Sequence, residues 1–271
     1  TACSANLGSP NDIRAPDEAP PSSAPPVVET PPPQNRVTRP PDIAEPGACV
    51  AAESPTRRLS VFELESTLAN LFPDIGLPRA TLPEDAAQNG FDNDVTVLSS
   101  GRAFAEGLED HIAEVSVHAA AHALQRAGCD AMSDSLCAEA FVQYWAERVL
   151  RRPPSSGEHA AAVEFFQEGA AQSLEEGARY ALNSLLLMPD FVFHIPRSDG
   201  ASRADGYTVA NRLAYAIWSS APDEELLQAA AEGRLATPSE LRAHAERMLE
   251  DPRARTSIRR FFDQWLDLEG H

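Results

Sequence analysis

The chain has 271 residues and a formal net charge of −19, and its 22 basic residues are all arginine. So acidic a chain repels a phosphate backbone, which argues against nucleic acid as a partner. No apolar run reaches the roughly 20 residues that span a bilayer, so a membrane link would have to be an anchor.

Residues 1–56 hold 13 of the 23 prolines, in runs such as Pro31-Pro32-Pro33. Almost nothing apolar recurs there, and such a segment cannot bury enough surface to offset the entropy of ordering. The expectation is a disordered Pro-rich tether of extended, polyproline character. Thr1-Ala2-Cys3-Ser4 looks like the end of a bacterial lipoprotein signal, in which a small residue precedes the cysteine that is lipidated after cleavage. Cys3 is therefore the expected lipidation site, and the tether would hold the folded part off a membrane surface. The apolar stretch that precedes such a cysteine lies outside the sequence, so the chain reads as clipped at its start. The plain alternative is an ordinary cysteine in a disordered tail.

From Arg57 the punctuation is helical. Ser60 with Glu63 forms a capping-box pattern opening a helix to about Phe72. Residues 73–98, rich in Pro, Asp and Asn, read as a long ordered loop. A second helix is expected from near Ser100 to about Ala127. A third runs from about Ser135 to Arg152, halted by Pro153-Pro154, with Phe141, Trp145 and Val149 on one face. A fourth spans 157–169. Ser173 and Glu176 open a fifth whose stripe is Leu174, Ala178, Ala181, Leu182 and Leu185, ending before Pro189. Further on, Val209, Leu213, Ala216 and Ile217 make another stripe. Pro222, Thr237-Pro238 and Asp251-Pro252 each open a helix. In the last of these Ile258, Phe261, Phe262 and Trp265 are expected to face inward. No strand pattern stands out. The fold class is all-α, a bundle of about eight helices, divided as 57–128, 129–198 and 205–271.

The four cysteines form neither a haem-attachment C-x-x-C-H nor a zinc-type C-x-x-C pair. Cys129 and Cys137 enclose a short polar loop and suit a local disulfide, which implies an oxidising compartment; two buried thiols are the alternative. Cys49 is then the odd thiol. His111, His118 and His122 fall within about 40° of one another on a helix, where imidazoles could ligate a metal or simply border the apolar stripe. Ala119 stands where a zinc protease carries its glutamate. Asp92, Asn93 and Asp94 put three oxygens in one loop, either a calcium-binding cluster or an Asx-type turn with Phe91 as a plug. Arg151 and Arg152 suit a helix C-terminus as capping cations. Arg212 suits a buried bridge to a carboxylate, an anion site being the alternative. Trp145, Trp218 and Trp265 fall on apolar stripes and read as core, the alternative being a carbohydrate or haem platform. No nucleophile elbow, HExxH pair, glycine-rich phosphate loop or Cys/His nucleophile pairing is present. No catalytic residue is nominated.

Several of these motifs together carry a family resemblance. Arg57-Arg58-Leu59-Ser60 with Gly90-Phe91-Asp92-Asn93 resembles the third planctomycete-specific domain (PSD). Arg151-Arg152-Pro153 with Leu185-Leu186-Leu187-Met188-Pro189-Asp190-Phe191 resembles the fifth. The fourth is matched by Asn211-Arg212-Leu213-Ala214-Tyr215-Ala216-Ile217-Trp218, Pro222-Asp223-Glu224-Glu225-Leu226, Met248-Leu249-Glu250-Asp251-Pro252-Arg253 and Gln264-Trp265-Leu266. The order third, fifth, fourth is the family's usual one. The chain departs from the pattern at Leu64-Glu65-Ser66, where an aromatic-Asn-Asn run is usual, and at Leu150, usually an aromatic. The resemblance implies export, helical structure and further sequence beyond residue 271, but no reaction.

Two classes of function follow. One is a cell-envelope interaction or scaffold module with an envelope protein or a cytochrome as partner. The other is a component of an electron-transfer or oxidoreductase system, since planctomycete-type cytochrome domains often accompany this family. Its haem c would sit downstream, as these residues call for no cofactor. A hydrolase has no residue support.

Overall fold

The computed structural model describes residues 55–129, 133–198 and 204–268. Nearly all of the expected tether, with Cys3 and Cys49, lies outside the described residues. The described residues form ten α-helices and one two-stranded sheet, so the protein is all-α. No described helix is long and apolar enough to cross a membrane.

Strand β1 (Arg57–Arg58) leads into α1 (Val61–Leu71). The capping box forms as expected: Glu63 N donates to Ser60 Oγ, and Ser60 N donates back to Glu63 Oε2 at 2.9 Å. The loop that follows has no helix of its own, yet its backbone is tied down. Gln88 and Phe91 exchange both backbone hydrogen bonds around Asn89 and Gly90, which take φ values of 53° and 86°. An Asn-Gly pair suits this left-handed geometry. A Cβ on Gly90 would stand 2.9 Å from the Gln264 carbonyl, so the turn also needs a residue without one.

Helix α2 (Arg102–Arg126) is followed by α3 (Asp134–Leu150), α4 (Ser156–Ala170), α5 (Leu174–Leu186) and the single turn α6 (Pro189–Val192). One core is shared by α1 through α6. Phe72 lies against Trp145 at 5.0 Å between ring centroids, and Phe141 against Phe166 at 5.1 Å. Trp145 is buried and its indole N–H donates to the Ala123 carbonyl, so its polar atom is satisfied. Helices α4 and α5 approach so closely at Gly169 and Gly177 that a Cβ on either would fall within 3 Å of the opposite backbone.

Strand β2 (Phe193–His194) pairs antiparallel with β1, Arg57 opposite His194 and Arg58 opposite Phe193. Two residues are too few to show alternation, which is why the sequence carries no strand signal. The pairing brings the start of the described chain beside the end of α6.

The last part has a second, smaller core, built from α7 (Gly206–Trp218), α8 (Glu224–Ala231), α9 (Pro238–Glu250) and α10 (Pro252–Trp265). Asp223, rather than Pro222, caps α8, accepting from Leu226 N. Trp218 fills this core; its indole donates to the Met248 carbonyl, and the Arg253 guanidinium lies 3.5 Å above the ring. Helix α10 corrects the sequence reading. Ile258, Phe261, Phe262 and Trp265 do not face inward but are 44–61% exposed. The helix packs instead through its small and polar side: Ala254 is buried, Ser257 bonds Ser219, and Arg260 and Gln264 both bond Asp92. Trp265 is thus not a core residue, unlike Trp145 and Trp218.

Candidate functional site

Where α1, the α3 terminus, β2 and α7 converge, a cavity of about 440 Å³ opens to the surface. That volume lies in the range of small-molecule sites, roughly 300–1,000 Å³. In a chain of net charge −19, its walls carry five arginines: Arg57, Arg151, Arg152, Arg197 and Arg212.

Arg151 is the deepest of them, 2% exposed. It ends α3 with φ 58°, in the left-handed region where a helix normally places glycine. A non-glycine residue there costs about 1–2 kcal/mol. The side chain justifies the position: it donates to the Tyr215 hydroxyl at 2.5 Å and to the carbonyls of Asp190 and Phe193. All these acceptors are neutral. Arg151 makes no salt bridge with a described carboxylate, and its Nε has no partner. Arg151 closes α3 as the sequence reading has it, and its side chain goes beyond that role: it is a buried guanidinium aimed across the fold.

Tyr215 ties the neighbourhood together. It reaches from α7 into the larger core, its hydroxyl lies 2.9 Å from Thr67 Oγ1 of α1, and the His194 ring stands edge-on at 4.3 Å. Burial pushes the Tyr215 phenol up, so it stays protonated. Burial, with the charges of Arg151 and Arg57 added, drives His194 well below the ordinary histidine range, which keeps it neutral near pH 7. Its Nε2 is buried without a hydrogen bond, 4.0 Å from Glu63 Oε1, and so is Asn211 Oδ1 on α7.

The other arginines have partners to differing degrees. Arg57 grips Glu63 through two bonds of 2.7 Å, so Glu63 both caps α1 and lines the cavity. Arg152 bonds Asp190 and Glu158, going beyond the capping role read from sequence. Hydrogen bonding from Arg152 holds the Glu158 carboxyl at about 2. Asp190 also accepts from Arg197 at 2.7 Å; although burial works to raise it, these arginine bonds hold its carboxyl below the usual range. Arg212 is exposed and makes no ion pair with the other described residues, which corrects the expected buried bridge. The acidic run it was expected to meet is engaged elsewhere: Asp223 and Glu225 by Arg247, and Glu224 by Arg148.

The remaining candidates are scattered. His111 is buried beside a small apolar pocket, His118 is exposed with Nδ1 against the Glu114 carbonyl, and His122 lies edge-on to Phe72. Asp92 is engaged by Arg260 and Gln264, Asp94 Oδ1 by Thr96 N and Oγ1, and Asn93 lines the cavity. Among the described residues no group of three or more His, Cys, Asp or Glu side chains is placed to hold a metal ion. The Cys129 and Cys137 sulfurs stand 2.07 Å apart.

Comparison with family models places this architecture. Three match in succession: PSD3, a protein of unknown function (DUF1587), over residues 57–121; PSD5 (DUF1595), over 137–195; and PSD4 (DUF1592), over 205–271. The chain belongs to the planctomycete-specific-domain family. No curated protein matches it, and no solved structure does. Each of the three matched segments contributes to the cavity: Arg57 and Glu63 from the first, Arg151 and His194 from the second, Asn211 and Tyr215 from the third.

Proposed function

We propose that this chain is an envelope interaction module, anchored by lipid at Cys3 through its Pro-rich segment, that recognises a small ligand in the cavity between its three segments. The carrying observation is the cavity: all three segments line it, and it concentrates cationic side chains in an acidic protein. The close approach of Cys129 and Cys137 supports residence in an oxidising compartment. The Thr1-Ala2-Cys3-Ser4 pattern supports the anchor. A second reading, docking of an envelope protein, is favoured by the exposed apolar side of α10.

The test uses a variant that blocks the cavity without touching a core. Ala216 lines it from an exposed position on α7, so Ala216→Trp should fill the space and leave the fold intact. A small-molecule extract of the native envelope should raise the melting temperature of the wild-type chain and leave that of Ala216→Trp unchanged. If the extract stabilises neither protein, or both equally, the cavity is not a recognition site.

A further inference from the structure

We infer that the ligand of this cavity is a small oxyanion, a carboxylate or a phosphate, received by the guanidiniums of Arg151 and Arg212. The inference rests on the cavity being a recognition site and names the chemistry it recognises.

The first support is the charge count. Five arginines line the cavity against the carboxylates of Glu63 and Asp190, and Glu158 reaches Arg152 from outside it. Two positive charges are left without a counter-charge. They fall on Arg151, whose described acceptors are all neutral, and on Arg212, which has no ion pair among the described residues. A buried cation without a counter-ion is costly, and an entering anion would remove that cost.

The second support is local. Arg151 sits in a left-handed conformation that glycine would adopt more easily, so the fold retains a guanidinium there against a conformational penalty. Its Nε is a buried donor with nothing to donate to. His194, whose Nε2 is another buried polar atom without a partner, is among the residues that line the same cavity. In the tautomer that carries its proton on Nε2, the neutral imidazole can donate to a bound oxyanion. The guanidinium fork matches the two oxygens of a carboxylate or the edge of a phosphate. The volume admits a compact organic anion, and Arg212 with half-exposed Arg197 offers a cationic approach from solvent.

The test is isothermal titration of the full chain with succinate, with inorganic phosphate, and with the neutral diamide succinamide, at fixed ionic strength. At least one of the two anions should bind at a single site, and succinamide at least tenfold more weakly than succinate or not at all. The stronger anion identifies the headgroup. Arg212→Ala, a change at an exposed side chain, should weaken anion binding about tenfold. Arg151→Lys keeps the charge and loses the fork, and should weaken it by a similar factor while the far-ultraviolet dichroism stays native. Anion binding unchanged in both variants would put the anion elsewhere and overturn the inference. Succinamide binding as tightly as succinate, or no anion binding while Ala216→Trp still abolishes stabilisation by the envelope extract, would also overturn it, yet leave the recognition reading standing.

Discussion

Arg58 and Asp85 form the most enclosed ion pair described in the molecule, each side chain 4% exposed and 2.5 Å apart. The pair fastens the long loop after α1 back to the start of that helix. Arg58 also donates to the carbonyls of Leu59 and Ser99 and stacks 4.1 Å above Phe104, and Asp85 Oδ2 accepts from Val61 N in the first turn of α1. Asp85→Ala leaves a buried guanidinium without its counter-charge and the helix start without an acceptor. Breaking such a pair from one side costs about 3–5 kcal/mol, a large share of the roughly 5–15 kcal/mol that stabilises a domain. The double change Arg58→Met with Asp85→Leu removes both charges and should cost much less, about 1–2 kcal/mol, because no buried charge is left alone. Guanidinium unfolding followed by Trp145 and Trp218 fluorescence reads both. A loss below about 1 kcal/mol for Asp85→Ala, or a double variant no better than the single, would refute the reasoning.

Acid should weaken the protein through several groups, Glu158, Asp190 and His194 among them. Glu158 is held at about 2 in the folded state, below its ordinary value, so its stabilisation is full above the unfolded pKa and is lost as pH falls towards 2. His194, held neutral by burial and by Arg151 and Arg57, resists a proton that the unfolded chain accepts, so stability also declines as pH drops below the ordinary histidine range. Unfolding free energy measured against pH should show both falls, Glu158→Gln reducing the lower one, to which Asp190 also contributes. Reducing the Cys129–Cys137 pair, which spans a sequence separation of 8, should cost about 2.5 kcal/mol and lower the melting temperature by about 5–10 °C. Identical melting curves with and without dithiothreitol would contradict that pairing. Trp218→Ala should cost about 3–5 kcal/mol, whereas Trp265→Ala, at a 61% exposed position, should stay within about 0.5 kcal/mol on the same assay.

The helices are legible because each carries its own local signal. Ser60 with Glu63, Thr237 before Pro238, and Asp251 before Pro252 cap helices where the sequence puts them. The stripe of α5 is buried as its spacing implies. The inward face of α10 is not legible, because periodicity finds an apolar stripe but not the surface it meets; polar partners, Asp92 above all, set that helix's rotation. The cavity is less legible still. Arg57 and His194 meet through a two-residue ladder, and Arg151 reaches Tyr215 across 64 positions of sequence. Neither contact leaves a local pattern. One signal does exist: a helix that ends in Arg151-Arg152-Pro153-Pro154 offers no glycine for a left-handed cap, and where such a cap forms an arginine takes it.

The central claim is that three successive family segments build one anion-receiving cavity. Nuclear magnetic resonance of the arginine, histidine and asparagine side chains, during titration with the better of succinate and phosphate, tests it most directly. Signals of Arg57 from the first segment, Arg151 and His194 from the second, and Asn211 from the third should shift together along one binding curve. Shifts confined to a single segment, or to arginines outside the cavity such as Arg255 and Arg259, would contradict it.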